Sequence, residues 1–129
     1  MIARCPDVIL VGIPFDENSS FLRGAAQAPS KIREALHSSS ANLSTEFGRD
    51  LGAEPRFRDA GDLSLPSGAV AFAAIEQGVA ELLENGDRMV ALGGDHAITY
   101  PIIRAFAKRY DRLSVLHLDA HPDLYDEFD

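Results

Sequence analysis

Residues 7–13, Asp-Val-Ile-Leu-Val-Gly-Ile, make a continuous apolar, β-branched run that stops at Pro14. Such a run reads as a strand buried on both faces of a parallel sheet, because a half-exposed strand would alternate apolar with polar residues. Parallel neighbours cannot be joined by a hairpin, so each strand needs a crossover, usually a helix. The rest of the chain supplies both parts. Pro29–Leu36 reads as a helix with Pro29 in its first turn, where the missing N–H costs nothing. His37 to Pro55 reads as irregular, and Arg56–Asp62 as a more polar strand nearer a sheet edge. Ser67 is a plausible N-cap for a helix of about five turns. Its apolar positions are Val70, Ala74, Ile75, Val79, Leu82 and Leu83, and Asn85-Gly86 closes it. Arg88–Leu92 is a second buried-strand run. A helix from Thr99 follows, with Ile102, Ile103, Phe106, Ala107 and Tyr110 as its inner face, and then a last strand, Leu113–Leu118. Strands alternating with helices at this pitch predict right-handed crossovers and a three-layer α/β/α fold with a mainly parallel sheet.

The chain has 129 residues, 46% of them hydrophobic, which is enough to bury a core without disulfides. Its formal charge of −8 argues against nucleic acid or an anionic membrane surface as partner, since both need a basic face. Cationic small molecules remain compatible with it. Cys5 is the only cysteine, so no internal disulfide can form. No apolar run has bilayer-spanning length, and the N-terminus lacks the apolar core of a signal peptide. These features together point to a reduced, cytoplasmic home.

In open α/β sheets, ligands bind at the carboxyl ends of the strands, and the unusual residues fall there. Gly93-Gly94-Asp95-His96 follows one strand run, and Asp119-Ala120-His121-Pro122-Asp123 follows the next. In an extended or turning backbone alternate residues point the same way, so Asp119, His121 and Asp123 can converge. With His96 they form a nitrogen and oxygen donor set without thiolate. That set suits Mn²⁺, and less selectively Fe²⁺, Co²⁺ or Zn²⁺, in a catalytic rather than a structural site. Asp95 fits a role orienting a ligand. The bland reading, helix-capping carboxylates and buried histidines, is harder to sustain for four donors after two strand ends than for any one. His117 reads as a satisfied core histidine and His37 as solvated. Five of the acids lie in residues 119–129, which hold no Lys or Arg, so acidity concentrates at the proposed cation site.

The two motifs Gly93-Gly94-Asp95-His96 and Leu118-Asp119-Ala120-His121-Pro122-Asp123 together resemble the ureohydrolase family of arginases, agmatinases and formimidoylglutamases. Gly12-Ile13-Pro14-Phe15-Asp16 and Ala28-Pro29-Ser30-Lys31-Ile32-Arg33 are similar to the family's N-terminal pattern. Asn18-Ser19-Ser20-Phe21-Leu22 and His121 to Asp126 look most like plant-type arginases, a branch near the agmatinases. The resemblance implies two Mn²⁺ ions per complete site, with His96 and Asp123 on one, His121 on the other and Asp119 bridging both. It also implies hydrolysis of a guanidino group with release of urea, and a homo-oligomer, trimer or hexamer.

By the same resemblance, residues 1–129 form the N-terminal part of a single domain of roughly 300 residues. The later carboxylate ligands and the proton-transferring histidine then lie outside the chain, which alone is expected to bind metal weakly and to be inactive. Animal and bacterial arginases commonly carry an asparagine at the position of Tyr125, which gives agmatine a slight edge over arginine as substrate, although plant-type arginases share the local phrase. Two other readings stand beside this one. A single-zinc deacetylase of related fold shares the Asp-x-His pair, though the paired histidine of those enzymes is missing here. A metal-free oligomerisation partner is the non-enzymatic alternative.

Overall fold

The computed structural model describes residues 5–123. Its sheet comprises β1 (Val8–Ile13), β2 (Phe57–Asp62) and β3 (Arg88–Gly93) in the order β2-β1-β3, with all pairs parallel. The apolar run of β1 is therefore the central strand, and Ile9, Val11 and Ile13 are almost wholly buried. The polar β2 lies at an edge, as its composition suggests. The helices are α1 (Ala28–Leu36), α2 (Val70–Leu83) and α3 (Thr99–Ala107). The β1-to-β2 and β2-to-β3 crossovers run in opposite directions across the sheet, and right-handed connections then put α1 and α2 on opposite faces. Two contacts agree with this. Ile13 packs in the cluster of Ile75, Val79 and Leu83 from α2 and Ala105 from α3. The neighbouring Gly12 faces Arg33 of α1, whose guanidinium a Cβ there would meet at 3.0 Å. No helix among the described residues is long and apolar enough to cross a membrane.

Four sequence expectations are corrected. β3, read as a buried strand, lies at the other edge of the described sheet, and none of its residues is fully buried. The helix after Ser67 starts at Val70, with no side-chain cap, because Gly68 adopts φ 76° and its N–H is taken by Glu17 Oε2 at 2.8 Å. Left-handed backbone at Gly68 excludes it from a helix, so α2 is about four turns long. The expected face of α3 holds in part, since Ile102 and Phe106 pack against the core cluster. Pro101 and Ala105 are the fully buried positions of the helix, with Ile98 of the preceding 3₁₀ turn, His96–Ile98, whereas Ala107 and Tyr110 are exposed. Residues 113–118 form no strand: they make no ladder, and Leu116 and Leu118 are 86% and 87% exposed. A buried parallel strand needs apolar cover on both faces, which the described residues do not provide.

Arg33 ties α1 to β2. Its Nε and Nη2 donate to the two carboxylate oxygens of Asp59 at 2.7 and 2.9 Å, Nη2 also donates to Gly61 O, and Nη1 donates to Asp62. The hydrogen bonds from Arg33 hold the Asp59 carboxyl below its ordinary range. A carboxyl depressed in the folded state stabilises the fold above the unfolded value of about 3.9, and that stabilisation is lost as pH falls through the folded value. Urea melts should accordingly show Arg33→Met less stable than wild type at about pH 6, with the gap closing below about pH 4. A gap independent of pH would assign the effect to packing.

Candidate metal centre

The carboxyl ends of β1 and β3 lie side by side, with Ile13 paired to Gly93. The chain beyond β3 is drawn against the chain beyond β1, since Asp95 N–H donates to Phe15 O at 2.9 Å. This approach requires glycine at 94, where a Cβ would sit 1.9 Å from Phe15 O. Asp95 Oδ1 then accepts from Ala97 N–H at 3.0 Å and caps the 3₁₀ turn that begins at His96, while Oδ2 accepts from Asn18 N–H at 2.9 Å. Asp95 thus acts on the backbone that carries His96 and on the loop opposite, rather than on the imidazole itself.

The His96 ring is oriented by a residue that sequence reasoning passed over. Thr99 Oγ1 lies 3.0 Å from His96 Nδ1, one helical turn along. With Nδ1 engaged there, Nε2 is the nitrogen left facing the cluster, 2.9 Å from Asp123 Oδ2. The signal was available in the sequence, since residues three apart on a helical turn face each other. Thr99→Val removes the hydroxyl and keeps the shape, so it should weaken divalent-metal affinity about 10- to 100-fold in a calorimetric titration. Thr99→Ser should restore it.

The last ligand-type residues lie beyond the exposed run 113–118. His117 Nε2 is 3.5 Å from Asp123 Oδ2 and 4.0 Å from Asp119 Oδ2, and the rings of His96 and His117 stand 5.5 Å apart. One ligand atom each from His96, His117, Asp119 and Asp123 comes within 4.8 Å of the others. His117, expected to be buried, is therefore exposed and part of the cluster. His121 is not in that group. Its N–H donates to Asp119 Oδ1 at 3.0 Å, and its Nδ1 lies 3.3 Å from the same oxygen. The reason is local: alternation holds between 117 and 119, but the chain turns at 119–121. Asp123 adopts φ 48°, a left-handed conformation that Asp tolerates better than most residues and that helps redirect the chain. Tyr125 lies outside the described residues.

The His121 N–H is the main reason that the Asp119 carboxyl sits below its usual range, so Asp119 is a ready anion at neutral pH. The donor set fits a divalent cation. Two donors about 2.1 Å from a shared ion and at right angles lie about 3 Å apart, close to the 2.9 Å between His96 Nε2 and Asp123 Oδ2. Without a cation or proton between them, two such electron-rich atoms would repel.

Comparison with known proteins adds a separate line. The model of the Arginase family matches residues 6–129. The chain is 40% identical over 131 residues to "Arginase 1, mitochondrial" of Oryza sativa subsp. indica, covering 93% of this chain and 38% of that protein. It is 39% identical over 120 residues to the agmatinase of Bacillus subtilis (strain 168), covering 92% and 41%. The solved structure of arginase from Medicago truncatula superposes with a TM-score of 0.81 at 33% identity, over 95% of this chain and 42% of that one. The chain thus spans about two fifths of the length of these curated relatives.

Proposed function

The chain belongs to the arginase family, and from that premise we propose that it is the N-terminal part of a single hydrolase domain that cleaves a guanidino C–N bond and releases urea. The observation that carries the reading is the convergence of His96, His117, Asp119 and Asp123 at the carboxyl ends of the strands. Manganese is the proposed metal, two ions per complete site. His96, Asp119, His121 and Asp123 are the proposed ligands, Asp119 bridging, and His117 is close enough to join them. When bound, such a pair of cations supplies Lewis acidity that activates water toward the planar guanidinium carbon.

The chain's own residues do the remaining work. Thr99 and the Asp95-capped turn hold His96 Nε2 toward the cluster. The His121 N–H holds the Asp119 carboxyl below its usual range, and the negative field of Asp119 and Asp123 favours a cationic substrate. Cleavage adds the elements of water across the C–N bond, leaving urea and an amine that must gain a proton as it departs. The proposed proton-transferring histidine lies outside these 129 residues.

Agmatine is placed slightly ahead of arginine, on Tyr125 at a position where animal and bacterial arginases commonly carry asparagine. The proposed setting is a cytoplasmic homo-oligomer, trimer or hexamer, with no nucleic-acid or membrane partner. The test is to express the complete reading frame with Mn²⁺ and compare urea release from agmatine, arginine and other guanidino compounds. Inertness toward all of them would overturn the proposal.

A further inference from the structure

Both backbone polar groups of His121 are taken by side chains of its own segment. Its N–H donates to Asp119 Oδ1 at 3.0 Å, and its carbonyl oxygen lies 3.3 Å from His117 Nε2. The second contact decides a chemical question about His117. A carbonyl oxygen carries lone pairs and no proton, so it can only accept, and the hydrogen bond therefore places a proton on His117 Nε2. The other oxygens placed near that nitrogen, Asp123 Oδ2 at 3.5 Å and Asp119 Oδ2 at 4.0 Å, are carboxylate acceptors as well. A protonated ring nitrogen has no lone pair left to give a cation. His96 differs, since its Nδ1 meets a hydroxyl, which can donate, and its Nε2 is left to face the cluster. Distance alone would let His117 Nε2 ligate, but the polarity of its hydrogen bond does not.

We propose that His117 is a positioning residue and not a metal ligand: its Nε2–H clamps the His121 carbonyl and so fixes the path of the chain from Asp119 to Asp123. The clamp closes a turn of five residues, 117–121, and Pro122, whose ring fixes φ, follows directly. Asp119, His121 and Asp123, the proposed ligands of this segment, are then spaced by two bonds between side chain and backbone that lie wholly within it. This matters because a metal site tolerates only about 0.5 Å of displacement in its donors. The inference rests on the metal-hydrolase reading.

The test measures Mn²⁺ affinity by calorimetry, and the absorption spectrum with Co²⁺ bound, for protein from the complete reading frame as wild type, His117→Leu and His117→Gln. Leucine lacks the donor, whereas a glutamine amide N–H can donate to the same carbonyl. His117→Leu should weaken Mn²⁺ binding about 10-fold, the lower end of what losing a partner of a ligand costs, and His117→Gln should recover most of that loss. At saturation the Co²⁺ spectrum should be the same in all three, because no imidazole nitrogen has left the donor set. The His117 side chain is 37% exposed, so both variants should fold. A Co²⁺ spectrum altered in His117→Gln would make His117 a ligand and overturn the proposal. A loss in His117→Gln as large as in His117→Leu, or wild-type affinity in His117→Leu, would overturn the clamp. The expected series of affinities without urea release from any guanidino compound would defeat the hydrolase reading and leave the clamp standing. Urea release with unaltered affinity in His117→Leu would defeat the clamp alone.

Discussion

Asp119→Asn should lower Mn²⁺ affinity at least about 100-fold, the upper end of what losing an outer partner of a ligand costs, and should take urea release below detection. The substitution is chosen because it separates charge from shape. Asp119 Oδ1 accepts the His121 N–H at 3.0 Å, and an asparagine oxygen can accept the same bond, so the turn at 119–121 should persist. What disappears is the negative charge that faces His117 and His121. Asp119 also belongs to both halves of the proposed centre, whereas His96 belongs to one, so its loss should exceed that of His96→Ala. Calorimetric Mn²⁺ titrations beside circular dichroism would measure both effects. Undiminished affinity in a folded Asp119→Asn protein would remove Asp119 from the centre.

Gly94→Ala should be the most damaging of the glycine-to-alanine changes, because its clash is with backbone. A Cβ at 94 would lie 1.9 Å from Phe15 O and 2.8 Å from Phe15 C, both backbone atoms that no side-chain rotation can move aside. Relief requires separating the segments after β1 and β3, which strains or breaks the Asp95 N–H to Phe15 O bond. Overpacking of this kind costs typically 1–3 kcal/mol and occasionally more, and a backbone clash belongs at the upper end. The consequence reaches the site, because the same movement displaces the Asp95-capped turn that carries His96. Urea melts should show the loss of stability, and Mn²⁺ titration of the folded fraction should show weakened binding. Wild-type values in both would mean that the β1 and β3 ends can part freely. Gly61, where nothing lies within 4 Å of a Cβ but φ is 75°, makes a control for backbone strain alone.

Much of the fold was legible because its signals are local. The β-branched run of β1, the proline in the first turn of α1 and the glycine after α2 each act within a few residues of themselves. What was misread depends on partners or on the path of a turn. The Leu113–Leu118 run has the composition of a buried strand, yet burial requires a covering surface that the described residues do not contribute. The inner face of α3 is legible at Ile102 and Phe106, which pack against the core, but not at Pro101 and Ala105, whose burial depends on tertiary partners. At the site, spacing after strand ends pointed to His96, Asp119 and Asp123, which the fold brings together. The same alternation, applied from 119 to 121, brings His121 only to Asp119, while His117, two residues upstream, meets the cluster. Which side of Asp119 stays extended is set by the turn at 119–121, which is not written in the spacing. Thr99 was overlooked because its role is to orient another side chain.

Counting the metal in protein purified from its complete reading frame tests the proposed centre most directly. Two manganese ions per active site are expected, with both retained when the enzyme releases urea. A protein that releases no urea and carries a single zinc, or no metal at all, would contradict a binuclear guanidino hydrolase and favour the deacetylase-like or non-enzymatic alternative.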